Sequence, residues 1–193
     1  MTPFKTLQSL LTANRSIRRF DHSKKISHET LTDLVRLTTL CASGRNAQPL
    51  KYRIVESDEE CMAIFPLLAW AGYYTDWAGP KESERPVAYI VQCLDTSITT
   101  APLCDEGLHL EAITLGATAF GLNGCIIKSF KASISDVLQL PKHLTPCYVV
   151  ALGYASEKAT IVAMNDEGDY KYFRDENDTQ CVPKRSLESI IIK

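Results

Sequence analysis

Apolar residues recur along this chain in two rhythms, and together they predict a sheet covered by helices. Between residues 3 and 14, Phe4, Leu7, Leu10 and Leu11 fall at helical spacing behind Pro3, which suits a first turn. Ser27 is a good N-cap with Glu29 in the turn that follows. Leu31, Leu34, Val35 and Leu37 or Thr38 then form one face of a second helix running to about Leu40. KYRIV at 51–55 reads as a short strand; Ser57 or Asp58 caps another helix, whose far end Pro66 disturbs. VAYIVQCL at 87–94, apolar but for Gln92, reads as a strong buried strand. Residues 105–122 carry apolar side chains on nearly every face, so this helix must be enclosed by the core or by a subunit interface. Gly121 and Gly124 close it. CII at 125–127 and CYVVAL at 147–152 read as two more buried strands, and Ser133 caps a short helix ending before Pro141. The apolar tail LESIIIK, 187–193, is too short to fold alone.

This order places helices between most of at least four strands, an α+β (α/β-like) architecture on one sheet. No internal repeat or boundary interrupts it, so residues 1–193 are expected to form a single domain. Residues 70–86 break the rhythm: Tyr73, Tyr74 and Trp77 are followed by Gly, Pro and charges. A flexible linker is not aromatic, so the segment reads as an irregular excursion. Its three rings could stack on a flat substrate or nicotinamide; core packing and dimer contact are equally open.

Composition removes several functions. A net charge of −2 gives no field for gathering nucleic acid, so any anion site must be local. The seven cysteines contain no CxxC pair, which argues against a zinc ribbon, an iron–sulfur cluster or a thioredoxin-type couple. An odd, scattered set suits a reducing compartment. The first residues lack a long apolar signal region, and no apolar run reaches the roughly 20 residues of a membrane span. A cytoplasmic protein without membrane or nucleic-acid partners is expected. There is no GxGxxG between strand and helix, which argues against the usual dinucleotide fold, and no GxxxxGK[ST], which excludes the P-loop.

Three segments carry candidate chemistry. NRSIRRF at 14–20 sets three arginines and a hydroxyl within five positions, groups suited to binding phosphate. A solvated basic turn would read the same. CASGRNAQPL at 41–50 joins small residues, which permit close approach, to Asn46 and Gln48. If the segment is extended these amides point the same way and suit a heterocycle edge with mixed donors and acceptors; an ordinary polar loop is the alternative. VPKRSL at 182–187 adds Lys184 and Arg185 beside a proline.

Taken together, these segments resemble the nitroreductase family from about Leu10 to Ile192. NRSIRRF is similar to its Arg-Ser-x-Arg-x-Phe signature and ASGRNAQPL to its Pro-Ser-Ala-x-Asn-x-Gln-Pro-Trp loop. DEGLHLEAITLGATAFGLNGCII resembles its central Asp-x-Gly helix and the strand entry beyond, and VALGY and PKRSLESII its last strand and phosphate-binding tail. The resemblance implies the nitroreductase-like fold: a central, mostly antiparallel sheet covered by helices, with the C-terminal segment exchanged in a homodimer. It implies two FMN sites at the interface and NADH or NADPH as electron donor. Arg15, Ser16 and Arg18 would hold the phosphate and pyrimidine edge, and Lys184 and Arg185 would close on the phosphate. Cys41, Ala42, Ser43 and Asn46 would come from the other subunit, with Gln48 nearby. The backbone of Ile127, Lys128 and Ser129 would lie against the flavin and its N5. The helix 105–122 would pack on its symmetry mate. Asn14, Leu50 and the Cys41–Ala42 pair depart from the family's pattern, which usually has arginine, tryptophan and Ala-Pro there.

The implied function is transfer of reducing equivalents from NAD(P)H through flavin N5 to an electron-poor small-molecule acceptor, such as a nitroaromatic or quinone, in ping-pong turnover. The flavin carries the chemistry, so no catalytic side chain is named; Arg18 would stabilise charge at N1/O2. No metal is implied. His109 reads as a satisfied interface histidine, and nothing marks Cys41 as reactive. A non-catalytic FMN-binding or interaction protein is the competing class, and a flavin-consuming or dehalogenating relative the competing chemistry.

Overall fold

The computed structural model describes residues 1–165 and 167–192; Lys193, the last residue of the predicted tail, lies outside them. Helix α1, Pro3–Ala13, starts where Thr2 accepts from the Lys5 amide and proline fills the first turn. Helix α2, His28–Thr38, is capped by Ser27, whose side chain accepts from the Thr30 amide. Strand β1, Leu50–Val55, leads to α3, Asp58–Ile64, capped by Ser57. Pro66 tightens the chain into a 3₁₀ turn over Phe65–Leu67, where its missing donor cannot continue the helix. Strand β2 is Ala88–Asp95, helix α4 Asp105–Ala119 and strand β3 Asn123–Ile127. A one-turn helix α5, Ile134–Val137, precedes β4, Leu144–Gly153.

These strands form an antiparallel sheet in the order β1-β2-β4-β3, with Ile90 opposite Val150. The period of two sends alternate residues to opposite faces. Ile90, Val150 and Leu152 pack against Leu31 and Leu34 of α2 and Ile113 of α4. Tyr89, Val91 and Val149 pack against Ile64 of α3 and Ile134 of α5. All eight positions of β2 are buried, Gln92 and Asp95 among them. The α+β class and the helix-covered sheet are therefore as the sequence predicts.

Gly116 lets α2 and α4 approach: a Cβ there would stand 2.4 Å from Leu37 Cδ1 and 3.0 Å from Leu34 Cδ2. Gly116→Val is expected to destabilise the protein by about 1–3 kcal/mol through overpacking, measured by urea unfolding. An unchanged midpoint would show that the helices separate without cost.

The chain then builds a second sheet that the hydrophobic pattern did not announce. Strands β5 (Ala159–Ala163), β6 (Phe173–Arg174) and β7 (Gln180–Lys184) pair in the order β5-β7-β6. They are short, and Pro183 inside β7 is a residue that ordinarily argues against a strand. The tail forms a single exposed turn, α6, Leu187–Ile190.

Candidate functional site

The arginine-rich turn at 15–20 is held from both ends. Ile17 and Phe20 are buried, and the Ile17 amide donates to the Gly124 carbonyl of β3 at 3.1 Å. Phe20 sits so close to Gly153 that a Cβ there would stand 2.8 Å from its ring. The carboxylate of Glu157, almost fully buried, accepts from the Arg18 amide at 2.5 Å and the Arg19 amide at 3.2 Å. It also pairs with the Arg174 guanidinium. Nothing in the sequence around Glu157 signals this role.

The three predicted phosphate and pyrimidine ligands of this turn differ in environment. Arg15 donates to the Leu11 carbonyl at 2.6 Å, but its Nε is buried without a hydrogen-bond partner. Burial lowers its pKa, with Glu111 opposing. Ser16 is exposed and bridges to Gly124. Arg18 is buried, with Nη1 3.4 Å from the Ser16 carbonyl and its guanidinium 4.6 Å from the centre of the Tyr172 ring. Because Ser16 pairs with Gly124, the turn runs beside the strand that ends in Ile127, Lys128 and Ser129. Lys128 turns back over β4, donating to the Cys147 carbonyl at 3.2 Å, and the Ser129 carbonyl accepts from the Ala69 amide at 3.0 Å.

The 41–48 loop corrects one expectation: it is not extended. Ser43 donates to Asp105 at 2.6 Å and the Gly44 amide at 2.8 Å, which curls residues 44–46 into a 3₁₀ turn. Arg45, Asn46 and Gln48 all take left-handed φ, at 54°, 55° and 51°. Non-glycine residues rarely adopt that region, and such strain concentrates at functional sites. Asn46 and Gln48 nevertheless share the wall of one cavity of about 230 Å³ with Cys41, Ser43, Tyr52 and His109. Asp105, at the start of α4, is 1% exposed. Burial opposes its charge, yet the donors Ser43 and Gly44 and nearby His109 outweigh this and hold its carboxyl below the ordinary range.

His109 is buried within the protomer, where its Nδ1 lies 2.5 Å from the Tyr52 hydroxyl. Burial lowers its pKa and raises that of Tyr52 to about 12, so both are neutral near pH 7. Burial also raises the Cys41 thiol, the opposite of an activated nucleophile.

Lys184 and Arg185 are exposed at the end of β7 and just beyond it. Among the described residues no hydrogen bond or ion pair joins them to Arg15 or Ser16. Tyr73, Tyr74 and Trp77 line a second cleft with Arg19, Tyr172 and Arg174, away from the 41–48 loop. The aromatic run Tyr170, Tyr172, Phe173 was the available signal for this partner wall. Among the described residues no helix is long and apolar enough to cross a membrane, and all seven cysteines are free.

The sequence model described as the Nitroreductase family matches residues 11–104. YdgI of Bacillus subtilis (strain 168), which carries an NAD(P)H nitroreductase name, is 33% identical over 61 residues, spanning 32% of this chain and 29% of that relative. A solved nitroreductase family protein from Streptococcus pneumoniae TIGR4 superposes with a TM-score of 0.69 at 16% identity, covering 97% of this chain and 99% of that one. An FMN-dependent nitroreductase from Clostridium difficile R20291 superposes at 0.64 with 20% identity, covering 87% and 98%. The resemblance carried by the motifs is thereby borne out, as is the antiparallel sheet covered by helices that it implied.

Proposed function

With the nitroreductase fold and a family match over residues 11–104 as the premise, we propose that this chain is an FMN-dependent oxidoreductase. It passes reducing equivalents from NADH or NADPH to an electron-poor acceptor such as a nitroaromatic or quinone. The observation that carries this reading is the arginine turn fixed beside β3, with the Arg15 Nε buried and unpartnered next to the exposed Ser16. A half-buried guanidinium whose Nε lacks a partner is relieved by an anion, so this donor set fits a phosphate.

When bound, FMN would supply hydride acceptance at N5 and onward electron transfer. Arg15 and Ser16, with Lys184 and Arg185, would bind its phosphate. Arg18 would hold positive charge at the N1/O2 edge. The backbone of 127–129 would support the ring, while Cys41, Ala42, Ser43, Asn46 and Gln48 would reach it from a second subunit. One pocket serving donor and acceptor in turn gives ping-pong kinetics.

The homodimer is supported by apolar side chains left in water. Phe4 and Leu7 of α1, Leu108 of α4, Phe120 beyond it, and Leu187 and Ile190 of the tail are all exposed. Apolar surface on this scale marks an interaction site. A single domain in the cytoplasm completes the reading.

The purified protein is expected to sediment as a dimer, to be yellow or take up added FMN, and to bleach with NADH or NADPH without oxygen. Arg15→Ala should weaken FMN binding by about tenfold to a hundredfold, the loss of a charge-assisted contact. A colourless protein that takes up no FMN would sink the proposal.

A further inference from the structure

The cleft beside Arg19 holds chemistry that the cofactor-binding segments do not use. We propose that it binds a planar aromatic compound bearing an anionic group. Its aromatic walls come from two distant parts of the chain: Tyr73, Tyr74 and Trp77 from one, Tyr172 from the other. Tyr172 packs against Tyr73 and Tyr74 with ring centres 4.9 Å and 5.1 Å apart, and Tyr74 meets Trp77 edge to face at 6.2 Å. The space is about 440 Å³, within the range of small-molecule sites.

Two guanidiniums, Arg19 and Arg174, face this cleft against a single carboxylate, Asp76. The carboxylates that pair with them, Glu157 and Asp178, line a neighbouring depression instead. They anchor both arginines, and of the two Arg19 keeps an unpartnered nitrogen. The Arg19 Nε is buried with no hydrogen-bond partner, and its nearest carboxylate, Glu84, stands 4.0 Å away. A guanidinium presents a planar fork matched to carboxylate or phosphate. Arg19 also lies 5.8 Å from the Trp77 ring, so a stacking face and a cationic edge adjoin. A ligand carrying a flat ring and an anion together would use both.

The cleft's Tyr172 wall also meets Arg18, whose guanidinium rests on that ring at 4.6 Å. An occupant of the cleft would lie next to the proposed flavin edge. The inference thus deepens the oxidoreductase reading, on which its placement beside a cofactor rests, while the cleft itself is tested without one. Two sources share the required chemistry: an aryl carboxylate acceptor, and the adenosine phosphate of a nucleotide donor.

The full chain, as purified and again after removal of any flavin, is titrated calorimetrically with two probe pairs. These are 4-nitrobenzoate against 4-nitrobenzamide, and adenosine 2′-monophosphate against adenosine; Trp77 fluorescence serves as a second readout. At least one anionic probe is expected to bind about tenfold more tightly than its neutral counterpart, the value of one charge-assisted hydrogen bond. Arg19→Gln should erase that preference while leaving the neutral probe within about twofold, and Trp77→Phe should remove the fluorescence response. A preference in the benzoate pair identifies an acceptor site, and one in the adenosine pair a donor site. Equal affinities within both pairs, or a preference surviving in Arg19→Gln, overturn the proposal. Since the flavin-free titrations contain no cofactor, that failure is distinct from failure to bind FMN.

Discussion

Glu157→Ala is expected to cost about 3–5 kcal/mol of stability, the range for removing one partner of a buried ion pair. The Glu157 side chain is 2% exposed and Arg174 is 16% exposed, so the cation left behind gains little from water and keeps only its contacts with the exposed Asp178. The Arg18 and Arg19 amides would lose their acceptor at the same time. Each unsatisfied donor adds a desolvation penalty of roughly 1–3 kcal/mol unless water reaches it. Glu157→Gln keeps an acceptor oxygen and should recover part of the loss. Urea unfolding at pH 7 of the three proteins checks this. If the alanine variant lies within about 1 kcal/mol of the parent, the range expected of a surface pair, Glu157 does not organise the turn.

Asp105→Asn is expected to cost about 1.5–3 kcal/mol, the value of hydrogen bonds made to a charged group. It removes the charged acceptor of both Ser43 and Gly44, so the left-handed run that follows loses its anchor. FMN affinity should fall with it, because Asn46 and Gln48 then relax from their shared wall. The pH dependence has a definite sign. The folded carboxyl lies below its ordinary value of about 3.9, so its contribution is present above that pH and is lost as pH falls through the folded value. The stability difference between parent and Asp105→Asn should be constant near neutrality and shrink below about pH 4. A difference that grows on acidification would show that Asp105 is held protonated.

The four-stranded sheet was legible because its signals are local. Ser27 and Ser57 cap as their positions suggest, Pro66 ends α3, and β2 is apolar at six of its eight positions. The second sheet was not, since β5 and β7 pair across a long connection and Pro183 obscures one of them. Of the candidate site, the Ser16 turn and the 41–48 loop stood out by residue type. Their supports did not: Asp105 reaches Ser43 across 62 positions, and Glu157 reaches Arg18 across 139. Such partners are set by tertiary packing and leave no periodicity to read. The curl of the loop was missed for the same reason, as the carboxylate that bends it lies in another element.

The span between Arg18 and Glu157 also orders events during synthesis. A ribosome adding about 5–20 residues per second makes the 139 intervening positions in roughly 7–28 s. For that interval the N-terminal arginines have no acceptor for their amides, while strands β1 and β2 already exist to pair. Assembly of the arginine-rich turn is therefore a late event that waits on the final quarter of the chain.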